Sequence, residues 1–382
     1  MIYLDYSATT PVDKEVLDTF NKASLEYWGN PNSMHDLGVK AKKLIDASTE
    51  QIASILDVKP SEIIYTSGAS EANNLAIMGI CEKYKNRGHH IITTDFEHSS
   101  VFGPVSFLQK NGYDVDFVKT DENGKIDIDN LKSLIRDDTI LVSITAVSSE
   151  LGIIEDVEKI GLLLKEYPKL FFHVDATQAI GKFKIDFTNI DLISFSAQKF
   201  FGIKGVGALI KKEGINIEPL IHGGKSTTIY RSGTPATQLI ASMAKAMRLV
   251  SNDLDKHYEY VSKLNKKIRD SLKKYPKVKV NSPVDALPYI LNISVLGVKP
   301  ESMQHALESD KVYVSTQTAC SVKNAESSAV YALTHDHERS KSSIRISLSF
   351  KTTEEEIDEF LKIFDKHYNK LTKIKDWFYE IY

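Results

Sequence analysis

Between about residues 40 and 210, short apolar runs alternate with stretches of helical periodicity, and this alternation restricts the fold more than any other feature of the chain. The runs cover 62–65, 90–93, 114–118, 139–146, 170–174, 191–196 and 205–210. Runs so short and so continuously apolar suit strands covered on both faces, as in a parallel sheet. The patterns between them, among them 70–80 and 157–166, are long enough to be helical crossovers. The expected fold is α/β, with a large domain built on a mostly parallel seven-stranded sheet flanked by helices.

After the segment IHGGKSTTIYRSGT the pattern changes. Val250, Leu254, Tyr258, Val261, Leu264, Ile268 and Leu272 recur at spacings of three and four, which predicts one long amphipathic helix. Strands are expected at 277–280, 289–295, 311–315 and 343–348. A last helix should start at Thr352 and Thr353, whose hydroxyls can cap free amides while Glu354, Glu355 and Glu356 meet the positive helix end. This second pattern reads as a smaller α+β domain. The large domain is set at 16–250, and 1–15 with 251–382 form the small one.

Composition narrows the function classes. Of 382 residues, 48 are basic and 51 acidic, interspersed along the chain, so no electrostatic footprint for nucleic acid or an anionic membrane is expected. No apolar run approaches the length of a bilayer span, and MIYLDYSATT lacks the basic start and apolar stretch of a secretory signal, which predicts a cytoplasmic protein. The two cysteines, Cys81 and Cys320, form neither a disulfide framework nor a four-ligand zinc site.

In open parallel sheets ligands bind beyond the carboxyl ends of the strands, so the residues ending each run carry the information. The run IIYT leads through SGASEANN into a helix, presenting the amides around Ala69 and Ser70 at a helix N-terminus. That suits phosphate, or an ordinary strand-to-helix turn. LFFHV ends in Asp175, a carboxylate that needs a partner, such as a protonated ring nitrogen, a helix cap or a buried cation. Lys199 lies in the tight connection between DLISFS and GVGALI, where desolvation can remove its proton and permit a Schiff base with an aldehyde. His98, in DFEHSS, could stack on an aromatic ligand or move protons, or be a hydrogen-bonded structural group. The pairs His89/His90 and His335/His337 read as solvated loops without a metal role. Cys320 sits in the small polar segment VSTQTACSVKNAESSAV, where a thiol is reachable. Cys81 ends the helical run NLAIMGIC and reads as a small buried hydrophobe. Arg345, the one cation in SSIRISLS, suits bidentate capture of a carboxylate or a cross-strand ion pair.

The segments YLDYSATTP, GNPNSMHDLG, TSGASEANNLAI, EHSSV, HVDATQAIGK, SFSAQKFFGIKGVGAL, RSGT, TAC and SSIRISLSFKTTEEEID, in this order, resemble the group I cysteine desulfurases of the class V aminotransferase superfamily, fold type I enzymes that use pyridoxal 5'-phosphate. The resemblance implies that the large domain binds the cofactor through Lys199. Asp175 would face its ring nitrogen, Gln178 its phenolic oxygen and His98 its ring face. Ala69, Ser70, Ser196 and Gln198 would hold the phosphate, with Ser149 also at the cofactor. Thr234 would reach the phosphate of a neighbouring subunit in a homodimer. Arg345 and Asn32 would bind the substrate, L-cysteine. Cys320 would attack its Sγ, giving alanine and a persulfide for a sulfur-acceptor protein such as a cluster scaffold or a tRNA-thiolating enzyme. Ser148, Ser149 and Glu150 stand where the family has Asn-Asn-Glu, Gln198 where it has histidine, and TQTAC where it has SGSAC. Transamination, or cleavage of selenocysteine or cysteine sulfinate, would use the same scaffold without Cys320, and a non-catalytic sulfur relay would bind the cofactor without turnover.

Overall fold

The computed structural model describes residues 1–316 and 326–381, with side chains through residue 373. Its largest element is a seven-stranded sheet of β2 (Ile63–Thr66), β3 (His90–Thr93), β4 (Asp114–Phe117), β5 (Thr139–Thr145), β6 (Phe171–Asp175), β7 (Leu192–Ser196) and β8 (Gly207–Lys211). The spatial order is β2-β8-β7-β6-β5-β3-β4. Strands β4, β3, β5, β6 and β7 run parallel, whereas β8 is antiparallel to both β7 and β2. The connection from β7 to β8 is too short for a helical crossover, so the chain must turn straight back, which reverses the strand direction. Every residue of β5 is buried, while the edge strand β4 is partly exposed, as expected of strands in the middle and at the rim of a doubly covered sheet.

Two short strands, β1 (Ile2–Tyr3) and β11 (Val312–Tyr313), pair in parallel, and β9 (Val278–Val280), β10 (Ile290–Val295) and β12 (Ser343–Ser347) form an antiparallel sheet in the order β12-β10-β9. One continuous apolar core joins β5, β6 and β7 to β10, β12 and the C-terminal helix Glu354–Ile381. A second core fills the opposite face of the seven-stranded sheet beneath the helix Ala69–Lys83 and includes Cys81, whose thiol is pushed up by burial.

Three expectations need correction. The long helix is two, Thr237–Ser251 and Leu254–Leu272, because Asn252 and Asp253 interrupt it; short polar side chains compete for backbone hydrogen bonds. The strand expected at 311–315 shortens to β11, entered through the left-handed Lys311, although Ser315 still bridges Arg345. His90 is not in a solvated loop: it is buried on β3, with Nδ1 against Thr139 Oγ1 at 2.7 Å and Nε2 against Asp116 Oδ2 at 3.1 Å. The expected cap of the last helix forms as a reciprocal pair, Thr353 Oγ1 accepting from Glu356 N and Glu356 Oε2 from Thr353 N. Among the described residues no helix is long and apolar enough to cross a membrane.

Candidate functional site

The chain places β4 on one side of β3 and then β5 on the other, so a crevice opens beyond their carboxyl ends, the usual ligand position in such sheets. A cavity of about 320 Å³ lies there, and Ala69, Ser70, His98, Ser149, Asp175, Gln178, Ser196, Gln198, Lys199 and Arg345 all line it. Ten positions singled out in the sequence thus converge from six separate segments.

The helix Ala69–Lys83 enters the cavity with its amides uncapped by any side chain, since its N-cap is Gly68. Orphan amides and the helix dipole make this end an anion site. Gly68 has φ +153°, a conformation restricted to glycine, and a Cβ on the facing Gly207 would stand 2.8 Å from Gly68 Cα. The turn therefore depends on close backbone approach between β8 and the helix entry.

Lys199 closes a one-turn helix, Ala197–Lys199, after β7. Its Nζ donates to the carbonyl oxygens of Ser7 at 2.7 Å and Ala8 at 2.6 Å. Burial, reinforced by the Arg345 cation, pushes the amine down to about 8. The N-terminal segment is tied to this turn: Thr10 Oγ1 donates to Gln198 O at 3.0 Å and accepts from Phe201 N at 2.7 Å.

Asp175 ends β6, buried. Its Oδ1 accepts from Thr177 N at 2.9 Å and its Oδ2 from Asn73 Nδ2 at 2.8 Å. Asn73 also donates to Ser100 Oγ at 2.9 Å. Ser100 Oγ and Ser100 N lie 2.8 and 3.1 Å from His98 Nδ1. Because the Ser100 backbone N–H donates to His98 Nδ1, that nitrogen is an acceptor and carries no proton. The neutral imidazole then carries its proton on Nε2. Burial holds His98 below its usual range, which favours that neutral form.

Arg345, on β12, donates from Nη1 to Ser149 O at 2.9 Å and from Nη2 to Asp5 Oδ1 at 3.0 Å. The ion-pair reading is met by Asp5, and Nε is buried with no partner among the described residues. An unsatisfied guanidinium donor beside a cavity suits a ligand carboxylate.

Asn32 is exposed in the turn before the helix Asp36–Leu56, and Thr234 is exposed on the loop before Thr237–Ser251; neither lines this chain's cavity. Cys320 lies outside the described residues, although Ser315, earlier in the same segment, lines the cavity wall. Sequence reasoning missed Ser7, Ala8, Asn73, Ser100 and Asp5. The first two act through backbone carbonyls, which leave no side-chain signal, and Asn73 lies mid-helix in a segment read only for its start.

The sequence profile of the aminotransferase class-V family matches residues 2–360. The chain is 39% identical to a NifS/IcsS protein homolog of Lactobacillus delbrueckii subsp. bulgaricus, over 98% of this chain and 99% of that one. It is also 39% identical to the cysteine desulfurase IscS of Clostridium botulinum, over 96% of this chain and 94% of the relative. Among solved structures, a NifS-like protein aligns with a TM-score of 0.90 at 35% identity, covering 97% of this chain and 99% of the other. A structure described as SspA in complex with cysteine aligns at 0.82 and 31%, covering 92% and 100%. Matched along nearly its whole length, this chain belongs to the aminotransferase class-V family.

Proposed function

We propose that this protein is a pyridoxal phosphate-dependent cysteine desulfurase, converting L-cysteine to L-alanine and passing the sulfur to Cys320. The observation that carries the reading is Lys199: a buried amine, held down to about 8, in one cavity with the Asp175 carboxylate and the Arg345 guanidinium. The cysteine desulfurases and NifS-like proteins among its relatives support it.

The donor set fits the cofactor. The uncapped amides at Ala69 and Ser70, with Ser196 and Gln198, would hold the phosphate; Asp175 would face the ring nitrogen, Gln178 the phenolic oxygen and His98 the ring, with Ser149 alongside. When bound, the cofactor supplies an aldehyde for the amines of Lys199 and the substrate, and a ring that withdraws electrons from the substrate α-carbon. Lys199, close to half deprotonated near pH 8, can accept and return the α-proton. The Arg345 guanidinium would hold the substrate carboxylate, whereas Asn32 lies outside this cavity. His98, with its proton on Nε2, would lie against the cofactor ring. The Cys320 thiolate would attack substrate Sγ: the Cβ–Sγ bond breaks, an S–S bond forms, and the β-carbon gains the electron pair and a proton, so alanine and a persulfide result.

A homodimer completes the reading, with Thr234 reaching the neighbouring subunit's phosphate. The exposed Leu25, Trp28, Met34, Leu220, Ile221 and Ile229 would provide apolar surface for a second copy. We further assign 16–250 to a cofactor-binding domain and 1–15 with 251–382 to a small domain carrying Cys320, with a cytoplasmic sulfur acceptor such as a cluster scaffold or a tRNA-thiolating enzyme as partner. The test is incubation with L-cysteine and a reductant, measuring sulfide and alanine together. Equimolar release is expected, and Cys320→Ser should abolish sulfide while preserving the cofactor spectrum; full activity in that variant would remove Cys320 from the reaction.

A further inference from the structure

Lys182 is buried, yet among the described residues no carboxylate lies within ion-pairing distance of it. Its Nζ donates to two neutral oxygens of one residue, Gln178 O at 3.0 Å and Gln178 Oε1 at 2.9 Å. The other end of the same amide, Gln178 Nε2, donates to Ser7 O at 2.9 Å, the carbonyl that also receives Lys199. An amide side chain can normally turn over, since its two ends are alike in size. Here it is held one way, because the Ser7 carbonyl only accepts and Lys182, while protonated, only donates. Of the two Nε2 protons one is engaged by Ser7 O, so the second is left for the cavity that Gln178 lines.

A methionine would fill the position of Lys182 without desolvating a charge, so a lysine here calls for a reason. Holding the Gln178 backbone carbonyl is one, and it would be purely structural. It does not account for the second bond, to the side-chain oxygen of the cavity-lining Gln178, nor for a buried amine with no carboxylate partner among the described residues. The titratable groups facing Lys182 are Lys199, Tyr6 and Tyr289 around a void of about 20 Å³, with Arg345 acting through its field. Among the described residues no carboxylate joins them. Burial, then Lys199 and Arg345, bring the Lys182 amine down to about 7, so an anionic oxygen arriving at Gln178 would complete an incomplete charge environment.

We propose that Lys182 is a positioning residue: it grips Gln178 Oε1 and so commits the Gln178 amide to donate into the cavity, where the cofactor's anionic phenolic oxygen accepts. The assignment rests on the cofactor reading above and extends it to a residue that does not itself line the cavity.

The test uses the full-length protein loaded with pyridoxal phosphate, without substrate. The visible absorbance of the bound chromophore is titrated from about pH 6 to about pH 10, a range bracketing the lysine amines concerned. Losing the oriented donor and the charge behind it destabilises the deprotonated chromophore, so Lys182→Met should raise the absorbance midpoint by about one pH unit. Gln178→Leu should raise it similarly, and the double variant should add nothing further, because Lys182 acts through Gln178. A purely structural role predicts a lower melting temperature with an unchanged midpoint, and that result overturns the proposal. Additive shifts in the double variant overturn it too, since Lys182 would then act as an independent charge. If the methionine variant fails to fold, Lys182→Leu takes its place with the same expectation. A wild-type protein that never acquires the chromophore would instead sink the cofactor reading, an outcome distinct from either of these.

Discussion

Replacing Gly207 by alanine asks whether the backbone of β8 sets the position of the helix entry at Gly68. The added Cβ would lie 2.4 Å from the Phe195 carbonyl oxygen and 2.8 Å from Gly68 Cα, whereas ordinary contact begins near 3.4 Å. Both neighbours are backbone, so no side chain can swing aside and the two segments must separate by roughly 1 Å. Overpacking of this kind lowers unfolding free energy by about 1–3 kcal/mol. The displaced segment carries the amides of Ala69 and Ser70, so the anion site moves with it. Misplacing binding groups by about 1 Å can cost on the order of 100-fold, and a loss of at least about 10-fold in pyridoxal phosphate affinity is expected. Gly205→Ala is the control from the same hairpin. Gly205 has φ +94° with nothing within 4 Å of an added Cβ, so alanine there meets backbone strain of about 1–2 kcal/mol but pushes on nothing. Urea unfolding and equilibrium dialysis with the cofactor, run on both variants, separate the effects. Wild-type cofactor affinity in Gly207→Ala, or equal losses in both variants, would refute the reasoning.

Burial raises the Glu97 carboxyl to about 8, with Oε1 engaged by Thr94 Oγ1 and Thr145 N and Oε2 buried with no partner among the described residues. Its folded pKa exceeds the unfolded one, so the protonated form favours folding and that stability is lost as pH rises towards about 8. Glu97→Gln should therefore melt a few degrees above the wild type at about pH 8.5, with the gain vanishing near pH 4.5; a gain independent of pH would contradict the assignment. The Lys199 amine, held down to about 8, should capture cofactor aldehyde at a rate rising with pH up to about 8 and level above it, followed by absorbance in stopped flow. A rate still climbing steeply at pH 10 would mean an ordinary solvated amine. Thr353→Ala removes one half of the reciprocal cap on Glu354–Ile381 and should cost about 1 kcal/mol in urea unfolding without altering the cofactor spectrum.

The sheet was readable because its strands are covered on both faces: the seven apolar runs match β2 to β8 to within a residue or two, and the antiparallel β8 follows from the short hairpin that carries Lys199. The residues ending those runs were also readable as a site, since strand ends are where such sheets expose polar groups to a crevice. Less visible was the wall contributed by the first ten residues. Ser7 and Ala8 act through carbonyl oxygens, and their approach to Lys199 spans some 190 positions of sequence. The helix break at Asn252 and Asp253 escaped the reading because periodicity continues in phase across it.

By itself the amino-acid order determined which segments are strands, which glycines permit tight turns, and which amine, carboxylate and guanidinium could serve chemistry, because these depend on local periodicity and residue type. Only the folded chain decided their partners. That Arg345 pairs with Asp5, that Asn73 links Asp175 to Ser100, and that Lys182 rests on Gln178 rather than on a carboxylate are outcomes of long-range packing. Hydrogen-bond direction and desolvation depend on neighbours in space, and for Asp5 and Arg345 those neighbours lie 340 residues apart in the chain.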